Sequence, residues 1–427
     1  MNKANNPTIK TWIEVEKNSD FPIQNIPFGI FSPKGKSPRP ATIIGDTVID
    51  LSVLVEEGFF DEILPDTGYD AFFQAALNDI ISLGKEFTSN LRNRISELFS
   101  EEKEVIRDDK ELQERMLFNV KEVKMHLPVE VGDYTDFYSS IEHATNVGTM
   151  FRDPANALFP NWRSLPVGYH GRASSIVVSG TDINRPNGQT LPAGEEKPIF
   201  GPSRLFDFEL EMAFITGKQT KLGDSIKVED ADDYIFGMVI FNDLSARDIQ
   251  KWEYVPLGPF LSKSFGSVIS PWIVTLDALE GFKVEGPKQE PKVLPYLQTQ
   301  GKRNLDIDLK VFIKPENGEE TMVSNSNYKY LYWNMAQQLT HQTINGCNIN
   351  VGDMYASGTI SGPTSDAYGS MLELSWGGKK TLKLKDGSER KFILDNDTII
   401  MRAYAEKNGV RIGFGESVTK VLPAIKY

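Results

Sequence analysis

Four histidines, His126, His143, His170 and His341, are all the imidazoles in this chain. Imidazole titrates nearest neutral pH, so the search for a general base is short. His143 ends a run dense in polar and aromatic groups, Asp133-Tyr134-Thr135-Asp136-Phe137-Tyr138-Ser139-Ser140-Ile141-Glu142-His143. The run has no amphipathic period. Beside the candidate base it offers Asp136 as a metal ligand and Tyr138 as a hydroxyl donor to a substrate. The plainer alternative is a histidine that is exposed, or hydrogen-bonded for structure. His126 precedes Leu127-Pro128 and reads as a linker residue. His170, in Gly168-Tyr169-His170-Gly171-Arg172, reads as a turn residue with a structural hydrogen bond. His341 closes a helical pattern, where a cation complements the helix dipole.

Carboxylates supply the second kind of chemistry. Glu209 and Glu211 alternate with Phe208, Leu210 and Met212. Strand residues two apart face the same side, so the two carboxylates share one face. Like charges this close repel unless a cation lies between them, and hard divalent cations take carboxylate oxygens. The other reading is the solvent face of an edge strand. Asp243 follows the apolar strand candidate Phe236–Phe241 and is a further possible ligand. From Ser245 the pattern can turn helical, bringing Arg247, Gln250 and Tyr254 near one side. Lys263 stands among apolar and small residues, where a lysine either snorkels to solvent or serves a site. Glu373 sits in the otherwise apolar Met371-Leu372-Glu373-Leu374. A lone carboxylate there must find a partner, and a histidine is one candidate. The glycine-rich Ala356–Gly362 lets backbone approach a ligand closely.

The elements that must hold these residues change in character along the chain. Near the start, Pro27–Ser32 reads as a strand and Ala41–Leu51 as a hairpin turning at Gly45-Asp46. Helical patterns follow at Tyr69–Leu83 and Glu86–Phe99. Glu101–Glu114 is charged throughout and reads as a solvated helix or linker. Beyond His126-Leu127-Pro128 come short β-prone runs broken by glycine and proline: Ser175–Ser179, Phe208–Thr216, Phe236–Phe241, Leu309–Ile313 and Thr398–Tyr404. Tyr328–His341 is the clearest helix there. This places a domain boundary near residue 125, dividing 1–125 from a β-rich α+β domain at 126–427.

Composition narrows the function. The 427 residues carry a formal net charge of −13, which disfavours nucleic-acid backbones and anionic membranes as partners. The single cysteine, Cys347, allows no intrachain disulfide and fits a reducing compartment. The polar first ten residues do not read as a signal peptide, and no apolar run reaches the ~18–20 residues of a membrane span. The expected location is the cytoplasm.

Together these clusters resemble the fumarylacetoacetate hydrolase family. The runs Leu165–Ser175, Asp248–Phe260 and Ala356–Pro363 carry the resemblance most specifically. It spans nearly the whole chain, strongest from Asp133 to about Leu422 and weaker in the first 125 residues. It implies an N-terminal SH3-like β-barrel, a larger C-terminal β-roll domain bearing the site, and a homodimer. It implies that Asp136, Glu209, Glu211 and Asp243 hold Ca²⁺ or Mg²⁺. A second, structural Mg²⁺ would lie near Asp243, Lys263 and Ser267, where the family usually has Thr at the last position. Tyr138, Arg152, Gln250, Tyr254 and Thr359 would contact substrate. The implied reaction is hydrolysis of 4-fumarylacetoacetate, a small diketo dicarboxylic acid, to fumarate and acetoacetate, the last step of tyrosine and phenylalanine breakdown. His143, oriented by Glu373, would activate water, and Arg247, Gln250 and Lys263 would form the oxyanion hole. The alternative is an acylpyruvate hydrolase or oxo-acid decarboxylase of the same superfamily.

Overall fold

β-branched and aromatic runs punctuated by glycine favour paired strands over long helices, and a computed structural model describing residues 2–427 has that architecture. The hairpin at Gly45-Asp46 is formed: Arg39–Ile44 pairs with Thr47–Asp50, and Gly45 takes φ +59°. Phe28–Pro33 pairs with Arg39–Ile44 on one side and with Val123–His126 on the other, while Leu117–Asn119 covers Thr47–Asp50. These five antiparallel strands make the N-terminal half-barrel. His126 is therefore a strand residue opposite Ile30, with Nε2 2.8 Å from Ser32 Oγ, and not a linker residue.

The helix Lys85–Leu98 forms as its periodicity predicts and buries Phe87, Leu91, Ile95 and Leu98. The pattern at Tyr69–Leu83 does not give one helix. It breaks into a 3₁₀ turn, Tyr69–Phe73, and a short helix, Asn78–Ser82. Between them Leu77 N–H donates to Pro128 O at 2.9 Å, and Asn78 Oδ1 accepts from Glu130 N at 2.9 Å. Distant backbone has taken over the local hydrogen bonds. Glu101–Glu114 likewise is turns followed by a helix, Lys110–Met116. At Tyr328–His341 only Met335–Thr343 is α-helical, started by an Asn334–Gln337 capping box.

The site is built on an eight-stranded sheet. Its order runs Gly168–His170, Tyr134–Phe137, Met354–Ala356, Leu210–Thr216, Ile235–Asp243, Ser267–Ile269 and Ile176–Val178, with Val274–Thr275 also on Ile235–Asp243. Alternation sorts its central strands into two faces. Leu210, Met212 and Phe214 enter a core shared with the second large sheet, whose strands include Asp308–Lys314, Thr398–Lys407 and Val410–Leu422. Ala213, Ile215, Val239 and Phe241 enter a different core, continuous with the N-terminal half-barrel and its helices. The sheet is thus covered on both faces, a β-rich α+β fold as expected.

Candidate active site

Four carboxylates converge at one end of this sheet. Asp136 comes from Tyr134–Phe137, Glu211 from Leu210–Thr216, Glu209 from the residue before that strand, and Asp243 from the end of Ile235–Asp243. Asp136 pairs across with Ala356, which pairs with Ala213, so register alone brings the acids together. One oxygen from each lies within 4.8 Å of the others. Glu209 and Glu211 do share a face, but their strand is central and both are buried, so the edge-strand reading is wrong. Behind the acids, on the same face, stand Tyr134, Ala213 and Phe241 of the N-terminal core. That face is dry.

Two cations reach the cluster. Lys263 does not snorkel: it is 9% exposed, and its Nζ donates to Asp243 Oδ2 at 2.6 Å and to Glu209 Oε2. Arg247 donates from Nη2 to Glu209 Oε1 at 2.7 Å, from Nε to Asp207 Oδ2 at 2.8 Å, and from Nη1 to Gln250 Oε1 at 3.1 Å. Ser267 Oγ donates to Asp243 Oδ1 at 2.9 Å, and the Tyr169 hydroxyl lies 2.9 Å from Asp136 Oδ2 and 3.1 Å from Asp243 Oδ2. Five carboxylates, counting Asp207, face two cations, a formal excess of three negative charges.

The excess is unevenly spread. Burial would raise the pKa of Glu209, but Arg247 and Lys263 outweigh it and hold that carboxyl well below the usual range. Burial, and then the charge of Asp243, push Asp136 well above it. Burial and the charges of Asp136 and Asp243 do the same to Glu211. Asp136 Oδ1 and Glu211 Oε1 are buried with no hydrogen-bond donor. Glu211 Oε2 has one, the Gly358 N–H at 3.0 Å. Gly358 sits at φ +75°, and a Cβ there would stand 2.2 Å from Phe137 O, so the close approach requires glycine. Buried oxygens without donors, in a cluster with surplus negative charge, are what a hard divalent cation satisfies. The residues present fit one.

The second half of the site is a pair. His143 lies in the helix Ile141–Phe151, whose N-cap Ser140 accepts from the His143 N–H. Its Nδ1 is 2.6 Å from Glu373 Oε2. Glu373 also accepts from Asn146 Nδ2, Ser361 Oγ and Ser370 Oγ, each at 2.9 Å. Burial opposes its charge, yet the His143 interaction and these donors win, and its pKa falls below the ordinary value. Nδ1 being engaged, Nε2 is the free ring nitrogen of His143. The Tyr138 ring stands edge-on to the imidazole, centroids 5.3 Å apart.

The other expected residues divide. Thr359 is buried beside the cluster's Gly358, and its Oγ1 has no partner. Arg152 stacks over Phe159 at 4.2 Å, with Nε unpaired. Gln250, its oxygen held by Arg247, is left with its NH₂ free to donate. Tyr254, just past the helix Arg247–Glu253, is 53% exposed, unlike the buried acids. His170 is an exposed edge-strand residue. His341 lies near its helix end, with Nδ1 3.1 Å from the Tyr296 hydroxyl.

Several site residues escaped the sequence reading: Asp207, Asn146, Ser361, Ser370 and Tyr169. Two had a signal. Asp207, Glu209 and Glu211 share one alternation, and Ser370-Met371-Leu372-Glu373 has the spacing of an N-terminal cap followed by its acid.

Residues 134–421 match the family described as Fumarylacetoacetate (FAA) hydrolase C-terminal, and residues 24–128 match Fumarylacetoacetase N-terminal. The chain is 54% identical to a fumarylacetoacetase of Dictyostelium discoideum, covering 98% of this chain and 99% of that protein. Identity to the fumarylacetoacetase of Homo sapiens is 51%, covering 97% of this chain and 99% of that one. A fumarylacetoacetate hydrolase from psychrophilic Exiguobacterium antarcticum has a similar structure, with a TM-score of 0.52 at 17% identity over 93% of this chain and 99% of that one. That last likeness concerns the fold.

Proposed function

The chain belongs to the fumarylacetoacetate hydrolase family, and from that premise we propose how its buried residues carry out the reaction. The chain is a carbon–carbon bond hydrolase that converts fumarylacetoacetate and water to fumarate and acetoacetate. The bond to be cut joins a carbonyl carbon to a carbon flanked by a second carbonyl. The expelled fragment therefore leaves as an enolate.

His143 Nε2 takes a proton from water, and the water oxygen adds to the carbonyl carbon. Glu373, accepting from Nδ1, holds the tautomer that leaves Nε2 basic and stabilises the imidazolium that forms. General base catalysis of this kind contributes about 10²–10⁴-fold. The carbon–carbon bond then breaks, its electron pair passes into the enolate of acetoacetate, and the proton on His143 goes to that carbon. The free NH₂ of Gln250 and the remaining N–H of Lys263 donate to the developing oxyanion, each worth on the order of 10²–10³-fold. Arg247 orients the amide, and with three of its five N–H groups held by Glu209, Asp207 and Gln250 it keeps two to donate to the same oxyanion. Tyr138, Arg152, Tyr254 and Thr359 seat the substrate, the arginine through a charge-assisted bond to a carboxylate.

The family is metal-dependent, and Asp136, Glu209, Glu211 and Asp243 are the residues that would hold Ca²⁺ or Mg²⁺, whose Lewis acidity polarises substrate oxygens when bound. A second Mg²⁺ near Asp243, Lys263 and Ser267 belongs to the same reading. Lys263 would serve it through its carbonyl, because its ammonium already faces two carboxylates. A domain division near residue 125 is supported by the five-stranded sheet ending at His126. A homodimer is supported by the exposed apolar side chains of Val255, Leu257 and Phe260, and a cytoplasmic setting by the lone cysteine.

The observation that carries this reading is the pair of donorless oxygens, Asp136 Oδ1 and Glu211 Oε1, in the same buried site as the His143–Glu373 pair. The test is loss of the conjugated diketone's ultraviolet absorbance, with and without chelation. Loss that a chelator stops and metal restores is expected. No loss would move the substrate to acylpyruvates, and loss in protein shown to be metal-free would overturn the metal's role.

A further inference from the structure

Asp207 is buried with 0% exposure, and all its side-chain bonds go to parts of the site. Oδ2 accepts from Arg247 Nε at 2.8 Å and from Leu372 N at 3.0 Å, and Oδ1 accepts from Met371 N at 2.7 Å. Met371 and Leu372 open the short helix Met371–Leu374 that carries Glu373. Arg247 in turn holds Glu209 and the Gln250 oxygen. One carboxylate thus ties the metal-binding side to the proton-transfer side. Its position between them follows from the strand pair Phe206–Asp207 with Ser245–Ala246, which sets Asp207 beside the start of the Arg247 helix.

We propose that Asp207 is a positioning residue that fixes the spacing between the His143–Glu373 pair and the Arg247-oriented Gln250 donor. It touches neither substrate nor the reacting atoms. Its two oxygens have three fixed donors, two from the Glu373 helix and one from Arg247, so the helix cannot shift relative to the arginine without breaking a charge-assisted bond. Small displacements of this kind cost rate without costing binding, since reacting groups must align within fractions of an ångström. The inference rests on His143 being the base, and its test has a readout independent of that.

The readout is the imidazole Nδ1–H proton of His143, which a short bond to a buried carboxylate moves far downfield in the NMR spectrum. Its disappearance in His143→Ala assigns it. In Asp207→Asn, which keeps the size but loses the negative charge facing Arg247, kcat should fall about 10- to 100-fold with KM within about twofold, and the resonance should shift or broaden. Asp207→Glu keeps the charge but displaces the helix acceptors, so it should show the same two changes even if the Asn variant fails to fold. A kcat within twofold of the parent in a folded variant would overturn the proposal. So would a kcat loss with the His143 resonance unmoved. Failure of the base assignment looks different: His143→Ala would then keep its rate.

Discussion

The two halves of the site solve the problem of buried charge in opposite ways. Glu373 is an acid the chain satisfies by itself: His143, Asn146, Ser361 and Ser370 surround it, and its pKa is held down despite burial. Asp136 and Glu211 are acids the chain leaves unfinished: each keeps an oxygen without a donor, and burial with neighbouring charge drives their pKa values up. Glu209 and Asp243 stand between, neutralised by Lys263 and Arg247. The contrast teaches which half is satisfied by folding alone and which half a cation could complete. A buried carboxylate without partners is too costly to keep unless something else pays for it, whereas one with four donors is pre-organised.

The largest expected effect separates the halves by function. His143→Ala should lose about 10²–10⁴-fold in kcat and bind Ca²⁺ or Mg²⁺ with parental affinity in calorimetry. A parallel loss of metal affinity would show that the halves are one unit. Next, Asp136→Asn should weaken metal binding by at least the about 10–100-fold that losing an outer-shell partner costs. With chelator present, the same variant should melt higher than the parent, since it removes a charge the folded chain does not satisfy. A lower melting point in chelator would break the comparison.

The pH dependence should also differ in sign. Asp136 and Glu211 have folded pKa values above their ordinary 3.8 and 4.5. The folded, metal-free protein therefore binds protons more readily than the unfolded chain, and stability is lost as pH rises through the raised values. Glu373 is the reverse: its contribution is present above 4.5 and is lost as pH falls through its lowered value. Melting of chelated protein should rise as the pH falls from neutral toward the ordinary carboxylate range, and added metal should abolish the rise. The smallest effect is at one donor. Ser361→Ala should cost about 1 kcal/mol, read by urea unfolding, because Glu373 keeps three other partners. A loss several times larger would mean that Ser361 also anchors Gly369, whose N–H it accepts at 2.9 Å.

Much of the site was legible because residue type constrains chemistry. Few histidines left His143 prominent, and alternation put Glu209 and Glu211 on one face. The Lys85–Leu98 helix was legible because its apolar period is sustained over 14 residues. The Tyr69–Leu83 pattern misled because Pro128 and Glu130, far away in the chain, captured its middle hydrogen bonds. Asp207 was passed over since nothing near it in the chain shows that it meets Arg247 and the Glu373 helix, 164 residues on.

By itself the sequence determined the alternation of acids and apolar residues, the scarcity of candidate bases and the mixture of strand and helix periods. These are local properties, fixed by side-chain chemistry and backbone geometry. The tertiary structure alone decided which acids receive donors. His143 and Glu373 lie 230 residues apart, and strand register sets whether an oxygen meets Lys263, Arg247 or nothing. Burial then converts that difference into electrostatics, because a charge withdrawn from water is governed by the few groups packed against it.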